Sequence, residues 1–164
     1  MTKITNRTKR LVAELTILLC IVYVWNVKSE TYCIDDVKAG VLKQVVKADS
    51  DNVNAYRFLG SYYMDSGSYE KAIEVQRQVI KIDPNDANAH SMLGDAYWNC
   101  GLYGEAIEAY KQAMKLHGDA PHVHYQIALA YLKIGDKNSA MEEYELLKDM
   151  DEQLANELLG SINQ

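Results

Sequence analysis

Cysteine is scarce and carries no pattern. The three in 164 residues, Cys20, Cys33 and Cys100, form no CxxC pair and no metal-ligand spacing, so no metal or other cofactor is expected. The chain from Thr31 onward has 21 acidic and 12 basic residues, a net of −9. It lacks the basic face of a nucleic-acid binder, and that class is set aside. Catalytic motifs are missing too: there is no G-x-S-x-G, no HExxH and no phosphate-cradling glycine loop. His122 and His124, two apart on an expected helix, point in different directions and make no ligand pair. Long apolar runs are limited to one, Leu11 to Val27. No enzyme is expected.

What the chain does have is a period. Leu93, Gly94 and Tyr97 are followed by Gly101, Tyr103, Ala106 and Tyr110. The same series stands upstream as Leu59, Gly60, Tyr63, Gly67, Tyr69 and Ala72, and downstream as Ile127, Ala128, Tyr131, Gly135, Ala140 and Tyr144. Gly60, Gly94 and Ala128 are 34 residues apart in turn, as are Tyr63, Tyr97 and Tyr131. A fixed period of that length marks stacked repeats, each too small to bury its apolar face alone. Leu59 and Tyr63, four apart, share one helical face. A mid-helix glycine costs about 1 kcal/mol relative to alanine, which is reasonable where a neighbouring helix must come close. Gly67, Gly101 and Gly135 suit the left-handed residue that ends a helix.

Tyr56-x₂-Leu59-Gly60-x₂-Tyr63, then Ala72, then Pro84, resembles the tetratricopeptide repeat, W-x₂-L-G-x₂-Y…A-x₃-F…P. The resemblance covers three units from Val53 to about Glu152. Tyr56, His90 and His124 stand at the tryptophan position, Gln76, Tyr110 and Tyr144 at the phenylalanine position, and only the first unit keeps the closing proline. The fold this implies is all-α: a right-handed solenoid of three helix pairs, with a preceding half-repeat helix, a C-terminal capping helix and an N-terminal transmembrane helix.

In chain order, residues 1–10 carry Lys3, Arg7, Lys9 and Arg10 with no acid. Residues 11–27 follow as an apolar run of 17 containing one charge, Glu14. Its helix would reach about 25 Å, close to a bilayer core. The basic block ahead of it places the N-terminus in the cytoplasm and the repeats across the membrane, in the periplasm. The alternative is a signal peptide cleaved near Ser29, leaving an exported soluble protein. Residues 28–34 read as a connector, with Cys33 placed to pair two chains in a disulfide-linked homodimer. Residues 35–50 read as half a repeat, with Val37, Val41, Leu42, Val45 and Val46 as its apolar side. The units then run 53–86, 87–120 and 121–150, with Asp86 and Asp119 as caps of the helices after them. Residues 151–164 close the array, with Leu154, Leu158, Leu159 and Ile162 on one face. His90 and His124 are expected to pack, Cys100 to be buried, and Glu142, Glu143 and Glu145 to form a solvated face.

Function therefore falls to a surface. In the resembling family the first helix of each pair lines a concave groove that accepts protein or peptide segments. The matching positions are Asn54, Arg57, Ser61 and Asp65; then Asn88, Ser91, Asp95, Trp98 and Asn99; then His122, Tyr125, Leu129 and Lys133. Some members clamp a C-terminal carboxylate with basic and asparagine side chains. Arg57 fits that pattern, whereas Ser61, Met92 and Gln126 depart from it. Trp98 is the sharpest anchor candidate, since aromatic anchors concentrate binding energy. The expected function is a membrane-tethered, non-enzymatic scaffold. A periplasmic assembly or chaperone factor, for cytochrome maturation, translocation or envelope and pilus assembly, is the alternative, and an enzyme's regulatory subunit is a third.

Overall fold

The structure, a computed structural model, describes residues 31–163. Those residues form eight helices and no strand: α1 Thr31–Ala48, α2 Val53–Asp65, α3 Tyr69–Ile82, α4 Ala87–Asn99, α5 Tyr103–His117, α6 Pro121–Lys133, α7 Lys137–Met150 and α8 Glu152–Ile162. Each helix packs on the next, and α8 turns back onto α6 as well as α7. The result is a solenoid of hairpins α2–α3, α4–α5 and α6–α7, with α1 before them and α8 after. The apolar run 11–27 lies outside the described residues. Among those residues, no helix is long and apolar enough to cross a membrane.

Local sequence explains the helix ends. Asn52, Asp86, Asp136 and Asp151 each accept a hydrogen bond from the backbone N–H three residues on, at 3.0–3.1 Å, which satisfies one otherwise orphaned donor. Asp119 does not cap α6, contrary to expectation. Pro121 takes the first helical position and the residue before it is extended, so the cap falls on Ala120, which has no side-chain acceptor. The first helices all stop in one way. Gly67, Gly101 and Gly135 have φ of 70°, 75° and 83°. The next residue's N–H then returns to the carbonyl of Tyr63, Tyr97 or Tyr131 at 2.8–2.9 Å, the six-to-one bond of a Schellman close. The packing tyrosine of each unit therefore also accepts its terminating hydrogen bond.

The core runs between the layers. Leu59, Tyr63, Ala72, Ile73, Leu93, Tyr97, Ala106, Ile107, Tyr110 and Ile127 belong to one continuous buried cluster. A second joins Ala128, Ala140, Leu147, Ala155, Leu158 and Ile162. Burial of each large side chain such as Ile127, Leu147 or Leu158 stabilises by about 1.5–3 kcal/mol. Gly94 shows why that position stays small: an added Cβ would lie 2.6 Å from the Tyr110 ring. At Gly60 the equivalent obstacle is the Gln76 side chain.

The two ends depart from expectation in instructive ways. α1 includes Thr31, so Cys33 lies within a helix rather than in a connector. Of the residues expected on the apolar side of α1, Val45 is buried but Val37 is 61% exposed, and Ala39 is buried in addition. Phe58 on α2 is 55% exposed, whereas Met92, one repeat later, is half-buried and touches Gln76 of the preceding unit. At the other end α8 sits where a fourth first helix would, with Ala155, Leu158 and Ile162 inward. Lys137 holds it by donating to the Ile162 carbonyl at 3.1 Å.

Candidate partner-binding face

The candidate face is a grid generated by two periodicities. Within each first helix, four positions spaced three or four apart share a side. Across units they repeat every 34 residues: Asn54, Asn88 and His122; Arg57, Ser91 and Tyr125; Ser61, Asp95 and Leu129; Asp65, Asn99 and Lys133. Asn54, Arg57, Ser61, Asp65, Asn88, Asn99, His122 and Lys133 are exposed, and the others are half-buried.

Several of these side chains already have internal work. The Arg57 guanidinium donates to Asp86 through Nε at 3.1 Å and through a terminal nitrogen at 2.6 Å. A weaker contact at 3.5 Å reaches Asn54. Asp86 is buried and caps α4, so this ion pair ties one first helix to the next. Burial raises the Asp86 carboxyl, but the Arg57 guanidinium and the backbone N–H groups of Ala89 and Asn88 outweigh it, leaving the carboxyl below its ordinary range. Arg57 is therefore occupied and is not a free carboxylate clamp. Sequence reading missed Asp86 as its partner because the two lie 29 residues apart.

Asp95 accepts a hydrogen bond from the Tyr110 hydroxyl at 2.7 Å. Burial and that carboxylate push the Tyr110 phenol far above its ordinary value. Asn99 donates to its own helix, at the Asp95 carbonyl, 2.7 Å away. Trp98 is half-buried and packs edge-on to Tyr103 at 5.1 Å, within its own hairpin. Tyr125 and Leu129 pack on the α8 cluster, so the α6 part of the face is partly covered. Among the described residues Ser61, Asp65 and Asn88 make no tertiary hydrogen bond, and all three are exposed, leaving the α2–α4 stretch as the accessible one.

The histidines divide. His122 is exposed, while His124 is buried with Nδ1 2.6 Å from a Glu143 carboxylate oxygen. Glu143, expected on a solvated face, is a half-buried partner instead; Glu142 and Glu145 are exposed. Two positions supply the reason. Val75 and Ala109, equivalent to Glu143 in the earlier units, are both buried, so any residue there points inward and a carboxylate must find a donor. Cys100 is half-buried at the C-cap of α4. Among the described residues no group of three or more His, Cys, Asp or Glu is arranged for a metal ion.

Comparison with known proteins agrees with this architecture. The TPR repeat family profile matches residues 60–101 and 99–135, and a tetratricopeptide repeat profile matches 121–154. Together these span more than half of the chain, which belongs to the tetratricopeptide repeat proteins. Among solved structures it is similar to MamA. One MamA crystal structure has a TM-score of 0.73 at 29% identity, over 79% of this chain and 77% of that one. MamA of MSR-1 gives 0.68 at 27%, over 91% and 78%; MamA of AMB-1 gives 0.73 at 27%, over 85% and 73%. No curated protein sequence matches the chain.

Proposed function

We propose that this chain is a non-enzymatic scaffold that binds an extended protein segment across the α2–α4 face. The observation that carries this is the contrast between the two layers. On the second helices, Arg77 and Lys111 are committed to tyrosines of the following unit. On the first helices, Ser61, Asp65 and Asn88 are exposed, occupy positions of the repeating grid and are held on rigid elements, which is how a binding surface is built. The likeness to tetratricopeptide repeat proteins, which bind protein partners, supports the same reading.

Site-specific photo-crosslinking tests it. A photoreactive residue is placed at the position of Ser61 or Asn88, and in control chains at Glu74 or Glu108 on the second helices. Covalent adducts to one partner protein from the first pair alone are expected. Adducts arising only from Glu74 and Glu108 would move the function to the opposite layer.

The run 11–27 is proposed as a tether that holds the array on the far side of the membrane, supported by the basic block at Lys3, Arg7, Lys9 and Arg10. Retention of the full-length chain in the membrane pellet at alkaline pH is the expected result. A soluble chain beginning near Glu30 would show export and cleavage instead. Pairing of two chains through Cys33 stays a proposal, read on a non-reducing gel.

A further inference from the structure

We infer that the occupant of the α2–α4 face is an internal, extended segment of a basic partner protein rather than a chain end. This inference rests on the binding-face reading above and names the chemistry of its ligand.

It begins from what the face retains once internal bonds are subtracted. Arg57 is the one cation among the α2 and α4 grid positions, and it is spent on Asp86 at 2.6 Å. A terminal carboxylate arriving there would have to compete with a buried carboxylate already in place. It would also meet two anions that no cation balances among the described residues: Asp65, exposed, and Asp95, whose bound partner is the neutral Tyr110 hydroxyl. Like charges brought together at an interface are strongly disfavoured, so a chain end is repelled while a lysine or arginine side chain is attracted.

The remaining open groups point the same way. Asn88 presents an open side-chain amide, and Asn54, at the same register of the preceding first helix, presents another that has only the 3.5 Å contact from Arg57. An amide both donates and accepts, which matches the alternating N–H and C=O groups of an extended backbone. Ser61 adds a hydroxyl that can do either. Such groups bind the main chain of a passing segment without needing its terminus. The long-range field agrees: from residue 31 on the chain has a net charge of −9, which steers cationic partners toward it and keeps anionic ones away.

The test uses the full-length chain as bait for randomised short segments displayed between two fixed protein ends, so that no terminus is free. Expected is enrichment of segments with excess lysine and arginine. These should bind Asp65→Asn about two- to five-fold more weakly and Glu105→Gln, a control carboxylate on α5, unchanged. Making the same segments as synthetic peptides with a free C-terminal carboxylate should not improve binding over the amidated form. Enriched segments that are neutral or acidic, or that gain from a free carboxylate, would overturn the inference. So would equal sensitivity to Asp65→Asn and Glu105→Gln, because the attraction would then belong to the whole domain. If such segments still lose binding to Ser61→Trp, which obstructs the face, the face reading survives that failure. Segments indifferent to Ser61→Trp, or no enrichment at all, would overturn both.

Discussion

Arg77 of α3 donates a hydrogen bond of 2.7 Å to the hydroxyl of Tyr97 on α4, with the guanidinium 5.8 Å from the ring centroid. The relationship recurs at one repeat in each direction. Lys111 donates to the Tyr131 hydroxyl at 2.7 Å and lies 5.2 Å from that ring. Lys43 stands 5.6 Å from the Tyr63 ring. α1, α3 and α5 thus each send a cation to the packing tyrosine of the next first helix, which is the tyrosine whose carbonyl also closes its own helix. Lys43 thus sets α1 against α2 in the position that α3 holds against α4. The ladder stops at the far end, where Glu145 stands at the cation position and α8 carries no tyrosine.

A double-mutant cycle on Arg77→Met and Tyr97→Phe should return a coupling of about 0.5–1 kcal/mol in urea denaturation. Glu145→Lys, which restores a cation with no tyrosine to meet, should change stability by less than about 0.5 kcal/mol. Equal effects at the two sites would remove the ladder as a source of stability between repeats.

The two close-approach glycines should differ. Gly94→Ala drives a methyl to 2.6 Å from the Tyr110 ring, which is rigid, fully packed and hydrogen-bonded to Asp95. A loss of about 1–3 kcal/mol is expected. Gly60→Ala meets the far end of the flexible Gln76 side chain and should cost less. Gly40→Ala on α1 meets nothing within 4 Å and should stabilise by about 0.5–1 kcal/mol. Thermal melts of the three variants check the order.

Breaking the buried pair is costlier than replacing it. Glu143 is half-buried and its carboxylate is held by His124, whose other ring nitrogen is buried without a partner among the described residues. His124→Phe strands the carboxylate and should cost about 3 kcal/mol. Adding Glu143→Val, which copies Val75 of the first unit, should recover most of that loss. A double variant no more stable than the single would contradict the pairing.

Acid should weaken the link between α2 and α4. The Asp86 carboxyl is held below its ordinary 3.8 in the folded chain. Its contribution is therefore complete above that pH and is lost as pH falls through the folded value. Asp86→Ala should cost about 1–3 kcal/mol at neutral pH, with the gap to wild type closing below about pH 4. A gap that persists into strong acid would mean the carboxylate charge is not what Arg57 uses.

The helices, their order and the small residues at their crossings were legible because period and i, i+4 spacing are properties of the chain itself. Gly67, Gly101 and Gly135 announced the turns for the same reason. What stayed hidden depended on pairs distant in sequence. Arg57 reads as a free cation until Asp86 appears beside it. Glu143 reads as solvated until its equivalence to Val75 and Ala109 is combined with His124. Val37 reads as core from apolar spacing alone, yet the fold buries Ala39 and Val45 of α1 and leaves Val37 exposed. Of the thirteen face positions the sequence supplied the register, and only the folded chain shows which carry open groups.

Hydrogen exchange on the full-length chain, with and without a bound partner segment, tests the central claim most directly. Added protection should appear in α2 and α4 and leave the exposed sides of α3 and α5 at their free rates. Protection confined to α3 and α5, with α2 and α4 unchanged, would contradict it.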